Sequence, residues 1–151
     1  MNDLTVSRSQ ILARVQVDSK DELLQKMVDS LAAEVPGLDP HTAYYRLQQR
    51  EAQSPTVVGR GVAFPHALVP GLQRELLCVA TLADPLTYGD PDDPKVWLVF
   101  MLLGPGDRPG SHLRALSAIA RRCTDDTFLA TAMEARTPEA LWAVLEPLLA
   151  S

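Results

Sequence analysis

Hydrophobic residues recur at helical spacing in several segments, and polar residues mark where each segment begins. The first helix is predicted after Ser19, because Ser19 and Glu22 form a capping box. Behind this cap, apolar residues return every three or four positions on one face: Leu23, Leu24, Met27, Val28 and Leu31. Pro36 and Gly37 predict where this helix ends.

A second helix is predicted from Pro40, with Asp39 as its N-cap. Ala43, Leu47 and Arg50 follow at spacings of four and three, so they share one face. Arginine is unusual at the end of an apolar stripe. By itself this pattern is typical of a surface arginine whose stem lies along apolar neighbours.

Three further helices are predicted near the C-terminus. Ser111 is expected to cap a helix whose apolar stripe is Leu113, Leu116, Ile119, Ala120 and Cys123. Asp125 or Asp126 is expected to cap a short helix containing Phe128, Leu129 and Met133. Thr137 and Pro138 begin the last helix, which is expected to bury Leu141, Trp142, Leu145 and Leu148.

Two continuous apolar runs, residues 76–82 and 96–103, predict strands that are buried on both faces. Residues 62–64 and 15–17 are shorter candidate strands, and the Pro, Asp and Gly residues of 84–94 predict a loop. Helices and strands alternate, so the predicted class is α/β, with α+β possible. We expect one domain over residues 1–151, with a core of about 15–148 and a mixed sheet of about four to five strands flanked by helices.

Composition narrows the classes of protein that fit. A chain of 151 residues with 46% hydrophobic residues can form a single core. A net charge of -5 argues against nucleic acid as a partner. Met1 to Gln10 is polar, and the longest apolar run is far shorter than the roughly 20 residues that span a bilayer. Cys78 and Cys123 fit buried thiols in a reducing compartment, so a soluble cytoplasmic protein is expected.

The three histidines have different surroundings. His66 follows Pro65, which should end a strand and place His66 just beyond it, where ligands of α/β sheets bind. His112 follows Ser111 at a predicted helix N-terminus, which favours anions and a neutral imidazole donating one hydrogen bond. A histidine at a helix start is also often incidental. His41 is expected to face solvent.

The segment from Gly59 to His66 resembles the active-site segment of IIA components of the fructose, mannitol and nitrogen-regulatory phosphotransferase systems. In that family, Gly-x-Gly, apolar residues and Pro-His present the phosphorylated histidine. Arg50 and Glu51 match an upstream arginine–glutamate pair, with Arg50 16 residues before His66. Residues 111–116 resemble the family's second-histidine helix, and residues 85–88 its proline-bearing loop.

The resemblance implies a type-2 IIA fold and a phosphotransferase component that relays a phosphoryl group. His66 would accept the group from the phosphocarrier protein HPr or its nitrogen-pathway counterpart. His112 would hydrogen-bond the phosphoryl oxygens, Arg50 would pair with them, and Thr56 and Ser111 would contact the phosphate. The group would pass to a IIB component or serve as a regulatory state. Neither metal nor cofactor is implied, because the donor is itself a phosphohistidine.

The chain departs from the family pattern in two places. Residues 54–57 read Ser-Pro-Thr-Val where family members often have Gly-Ser-Thr-Gly. Ala67 and Leu68 follow His66 where the family has Gly and often Lys, and Arg60 is the predicted replacement for that positive charge. These changes bear on which partners dock at the site.

Two alternatives to the relay stay open. The first is a regulatory module whose docking on target proteins is switched by the charge of phosphorylated His66, and the second is a divergent homologue that no longer relays phosphate. A metal or hydrolase site built from the histidines and cysteines is disfavoured, since no such ligand spacing occurs.

Overall fold

The computed structural model describes residues 4–5, 10–53, 56–57 and 59–150; of residues 4–5 and 148–150 it describes the backbone alone. The strands in this part of the chain are β1 (Leu4–Thr5), β2 (Ile11–Val15), β3 (Val62–Ala63), β4 (His66–Val69), β5 (Glu75–Leu86) and β6 (Val96–Pro105). The helices are α1 (Lys20–Glu34), α2 (Pro40–Gln53), α3 (Pro109–Arg122), α4 (Asp126–Glu134) and α5 (Pro138–Ala150).

The strands form one mixed sheet with the antiparallel pair β5–β6 at its centre. Strands β1 and β2 both pair in parallel with β5, and β3 and β4 both pair in parallel with β6. The six described strands therefore occupy four positions across the sheet, which agrees with the predicted mixed sheet.

Helices cover both faces of this sheet. Alternate residues of β5 enter different cores, with Cys78 and Ala80 packing on the side of α1 and α2. Leu77 and Val79 pack on the other side, against α3, α4 and α5. This arrangement confirms that the two long apolar runs are strands buried on both faces.

Some element bounds differ from the predicted ones. β5 continues to Leu86, so the predicted loop at 84–94 begins later, and β2 ends at Val15 instead of beginning there. His66 does not lie beyond the end of a strand, as predicted, but is itself the first residue of β4. Pro65 lacks an N–H, but its carbonyl accepts from the amide of Leu102 (3.0 Å), so pairing with β6 resumes at once.

Helix α3 begins earlier than predicted. Its N-cap is Arg108 and its first residue is Pro109, so Ser111 lies inside the first turn and is not the cap. The buried face contains His112, Ala115 and Ile119, whereas Leu113 is 64% exposed. Four residues of the predicted stripe do pack on this core: Leu116, Ile119, Ala120 and Cys123. Only Leu113 is wrong, because His112 occupies the inward position in the first turn.

The other predicted helix starts are confirmed by their capping bonds. The Ser19 hydroxyl accepts from the amide of Glu22 (3.1 Å), and Asp39 accepts from the amide of His41 (3.2 Å). Asp125 accepts from the amide of Thr127 (2.9 Å), and Thr137 from that of Ala140 (3.1 Å). In α5, Leu141 and Leu145 are fully buried and Trp142 is partly buried. The side chain of Leu148 lies outside the described residues.

The cysteines are buried and unbridged, as expected. Burial raises the pKa of both the Cys78 and the Cys123 thiols to about 12, which keeps them protonated and unreactive at neutral pH. In the described part of the chain, no helix combines the length and apolar character that crossing a bilayer requires.

The turn before β3 supplies a matched pair of stability variants. Gly59 (φ 84°) and Gly61 (φ 78°) both have left-handed backbones, but only a Cβ at Gly61 would meet the Trp97 ring, at 2.3 Å. Gly59→Ala should lower the free energy of unfolding by about 1–2 kcal/mol. Gly61→Ala should cost about 1–3 kcal/mol more. Urea unfolding of both variants measures the difference, and equal losses would contradict the predicted collision.

Candidate functional site

A cavity of about 350 Å³ brings together the three residues predicted to do the chemistry. It is bounded by the last turns of α2, the start of β4 and the first turn of α3. Its lining residues are Arg46, Gln49, Arg50, Gln53, His66, Ala67, Leu68 and His112. The ring centroids of His66 and His112 are 5.6 Å apart, so one small anion can reach both rings.

A second cavity of about 300 Å³ adjoins the first, since Arg50 and His66 line both. Thr56, Phe64 and Leu116 contribute to its walls. His66 and Arg50 therefore lie where the two cavities meet, and both can be approached from either side.

The backbone determines which nitrogen of His66 can react. Nδ1 lies 2.8 Å from the carbonyl oxygen of Phe64. Because a carbonyl can only accept, Nδ1 carries the proton in this bond, and Nε2 keeps its lone pair. Pairing of His66 with Leu102 in the parallel ladder holds the ring at this edge of the sheet.

The surroundings of His66 favour its neutral form. Burial lowers the pKa of His66 below its usual value of 6.5, and the positive charge of Arg50 lowers it further. The bond to the Phe64 carbonyl acts in the opposite direction. Near pH 7 the ring is therefore a neutral imidazole with a nucleophilic Nε2.

His112 is buried, and its ring is held by a residue that sequence reasoning missed. Its Nδ1 lies 2.6 Å from Oε1 of Glu75, the first residue of β5, which is 1% exposed. A neutral His112 ring has one N–H, and this geometry places it on Nδ1, which donates to Glu75. The contact of His112 with a phosphoryl oxygen stays a prediction. The available signal was an acidic residue at the start of an otherwise apolar strand.

Arg50 and Glu51 diverge at the end of α2. Arg50 is half-buried and lines the cavity, while Glu51 is 7% exposed and continues the buried face of Ala43 and Leu47. The structure thus assigns the inward position at the end of the stripe to Glu51, and Arg50 borders the cavity.

The buried Glu51 carboxylate joins three parts of the chain. It accepts from the Lys20 ammonium (2.9 Å) at the start of α1 and from the Tyr88 hydroxyl (3.2 Å) after β5. It also accepts from the amide of Thr56 (3.4 Å) and from the Thr56 hydroxyl. Charge pairing with Lys20 and these hydrogen bonds offset the cost of burying the carboxylate. They also fix the end of α2, and hence Arg50.

The remaining predicted site residues lie close by with other contacts. The Thr56 hydroxyl donates to Glu51, although Thr56 lines the second cavity. Ser111 is half-buried in the first turn of α3 and is not among the residues that line either cavity. Ser54 and Pro55, in the altered turn, lie outside the described residues.

Two further residues bear on the predicted site and its rim. Arg60 pairs with Asp126 and donates to the Thr124 carbonyl (3.0 Å), so its charge is engaged with the start of α4. The Arg60 side chain is 50% exposed, and its replacement of the missing lysine stays a prediction. His41 is exposed, as predicted.

Across the described residues, no group of three or more His, Cys, Asp or Glu side chains is arranged to hold a metal ion.

Comparison with known proteins decides the family. The family model for the phosphoenolpyruvate-dependent sugar phosphotransferase system, EIIA 2, matches residues 5–147. The chain belongs to this family. The resemblance inferred from residues 59–66 is thereby confirmed, and EIIA 2 proteins are components of a phosphotransferase system.

Relatives within the EIIA 2 family include both nitrogen-regulatory and sugar-transport proteins. The chain is 35% identical to a nitrogen regulatory protein of Bradyrhizobium diazoefficiens, covering 93% of this chain and 91% of that protein. It is 30% identical to the 2-O-alpha-mannosyl-D-glycerate-specific EIIABC component of Escherichia coli, covering 97% of this chain and 23% of that protein.

A solved structure supports the EIIA 2 fold. The crystal structure of the nitrogen regulatory protein IIA-Ntr from Neisseria meningitidis superposes with a TM-score of 0.85 at 28% identity. The match covers 95% of this chain and 97% of that one. The predicted type-2 IIA fold is therefore confirmed.

The His66 environment makes a prediction about its titration. By NMR, the ring should titrate below pH 6.5, and Arg50→Gln should move the midpoint upward without reaching 6.5, because burial remains the largest cause of the lowered pKa. Because the pKa of His66 is lower in the folded chain than in the unfolded chain, the unfolded chain binds the proton more tightly. The free energy of unfolding should therefore fall as the pH drops below 6.5. A midpoint that Arg50→Gln leaves unchanged would show that the guanidinium does not act on the ring.

Proposed function

We propose that this chain accepts a phosphoryl group on Nε2 of His66 from a phosphocarrier protein of the phosphotransferase system. The observation that carries the proposal is the orientation of the His66 ring. Its Nδ1–H is held by the Phe64 carbonyl, which leaves the Nε2 lone pair at a cavity that Arg50 and His112 also line.

The transfer needs no group beyond two imidazoles and their surroundings. The Nε2 lone pair forms a bond to phosphorus while the N–P bond of the donor phosphohistidine breaks and its electron pair returns to the donor ring. His66 keeps its Nδ1 proton, so the phosphorylated ring is cationic. A cationic ring is a good leaving group, which makes the step reversible and permits onward transfer.

Arg50 supplies the positive charge that the transferring group requires. Negative charge spreads over three phosphoryl oxygens during transfer, and a guanidinium offers planar paired donors for them. His112 approaches from α3 on the same cavity. Contacts from Thr56 and Ser111 remain predictions, and for Thr56 they require its hydroxyl to leave Glu51.

A second candidate concerns what the phosphoryl group is used for. The matches to nitrogen regulatory proteins span over 90% of those proteins, as for those of Bradyrhizobium diazoefficiens and Escherichia coli. These names favour a module whose docking on a target protein is switched by the added negative charge. In the alternative use, the group passes to a IIB component.

Labelling tests the proposed acceptor. Incubation with phosphoenolpyruvate, the first enzyme of the pathway and the phosphocarrier protein should give one acid-labile phosphate per chain, because phosphoramidates hydrolyse in acid. His66→Ala should abolish the label. His41→Ala, an exposed histidine on α2, is the matched control and should label fully. No label on the unmodified chain, or label retained in His66→Ala, contradicts the proposal.

Arg50→Gln tests the charge-stabilising role. Losing one charged contact to the transferring group should slow labelling roughly 10²-fold, the effect of removing one oxyanion donor. Arg121→Gln, in the last turn of α3, changes the charge equally and should label at the normal rate. Rapid-quench kinetics measure both rates, and equal rates would exclude a role for Arg50 in the transfer.

A chase experiment separates the two uses. Labelled chain is mixed with a purified IIB component of the fructose or mannitol class. If the relay is its function, the label should move to the IIB component in stoichiometric amount. If the regulatory use is correct, the label should stay on His66, because a regulatory state must persist to act on its target.

A further inference from the structure

A buried acid–base pair lies directly behind the site. Glu75 and His112 are 1% and 6% exposed, and their Oε1 and Nδ1 atoms are 2.6 Å apart. Considering only residues that the structure describes, the other atom of each group, Glu75 Oε2 and His112 Nε2, is buried without a hydrogen-bond partner. Buried polar atoms are nearly always paired, so an unpaired Nε2 in a residue lining the cavity indicates a missing ligand.

Gly104 of β6 makes the pair possible. A Cβ at this position would lie 2.1 Å from Glu75 Oε2 and 2.4 Å from His112 Nδ1. Only the absence of a side chain there allows the carboxylate and the ring to meet. The contact therefore depends on β5, β6 and α3 together.

Several charges act on the His112 ring. Glu75 reaches it from β5, His66 faces it from β4, and Arg50 and Arg46 line the same cavity from α2. The positive end of the α3 dipole disfavours an imidazolium, whereas the Glu75 carboxylate, 2.6 Å from Nδ1, favours one.

We propose that Glu75 is a positioning residue that makes His112 an imidazolium when His66 is phosphorylated. The carboxylate holds Nδ1–H and so presents Nε2 to the cavity. It also balances the positive charge that the ring acquires when Nε2 is protonated. This inference rests on the proposed function and adds a proton uptake to it.

The proton balance follows from the charges. Phosphorylation of His66 brings a dianionic phosphoryl group into the cavity. His112 Nε2 takes up one proton from solvent and donates it in a hydrogen bond to a phosphoryl oxygen, while Nδ1–H stays with Glu75. When the phosphoryl group leaves, its negative charge no longer favours the proton on His112 Nε2, and this proton returns to solvent.

The test uses full-length chain with ¹⁵N-labelled histidine, phosphorylated enzymatically and observed by NMR at pH 7.5. Both nitrogens of His112 should be protonated in the phosphorylated wild type, with His112→Gln identifying the signals. Glu75→Gln keeps an oxygen acceptor for Nδ1–H but removes the charge, so its Nε2 should be unprotonated. Labelling of Glu75→Gln should be about tenfold slower at pH 8.5, and the deficit should shrink toward pH 6.

Asp107→Asn is the matched control, because it removes an exposed acidic charge just before α3 and should behave as wild type. A labelled wild type with unprotonated His112 Nε2 overturns the inference and leaves the proposed function intact. A Glu75→Gln variant with wild-type protonation and pH profile also overturns it. A wild type that takes no label overturns both. The wild-type spectrum decides even if Glu75→Gln does not fold.

Discussion

The antiparallel pairing of β5 and β6 sets the positions of the other strands and of both helix layers. Both strands are apolar on both faces, so each face needs a layer of helices to exclude water. That requirement places α1 and α2 on one side of the sheet and α3 to α5 on the other. The cavity lies where residues from the two layers, Arg50 and His112, meet the edge strand that carries His66.

Two buried carboxylates support this edge of the sheet. Glu51 joins α1, the 56–57 segment and Tyr88, and so fixes the end of α2 beside Arg50. Glu75 orients His112 from the opposite layer. Burying a carboxylate costs free energy unless it is paired, so each of these two carboxylates holds its partners firmly in place. The residues that touch the cavity are thus oriented by residues that do not.

The helices and long strands were predictable because their signals are local. Capping at Ser19 and Asp125 follows from neighbouring residues, and the two apolar runs are long enough to identify as strands. Pro65 predicts a strand end, but pairing resumes at His66 because the register of β4 depends on β6, whose paired residues lie 36 positions further along the chain. In the first turn of α3 the inward residue is His112 and not the predicted Leu113, because the apolar pattern does not show that a histidine can face the interior.

Short motifs with definite spacing specify the family, the helices, the two long strands and the three residues that meet at the cavity, so these were predictable without the fold. How those three residues are held depends on contacts made in the folded chain. The Phe64 carbonyl selects the reactive nitrogen of His66, and Gly104 admits Glu75 to His112. These contacts join residues from separate strands and helices, and no local pattern specifies which side chains a folded sheet brings together.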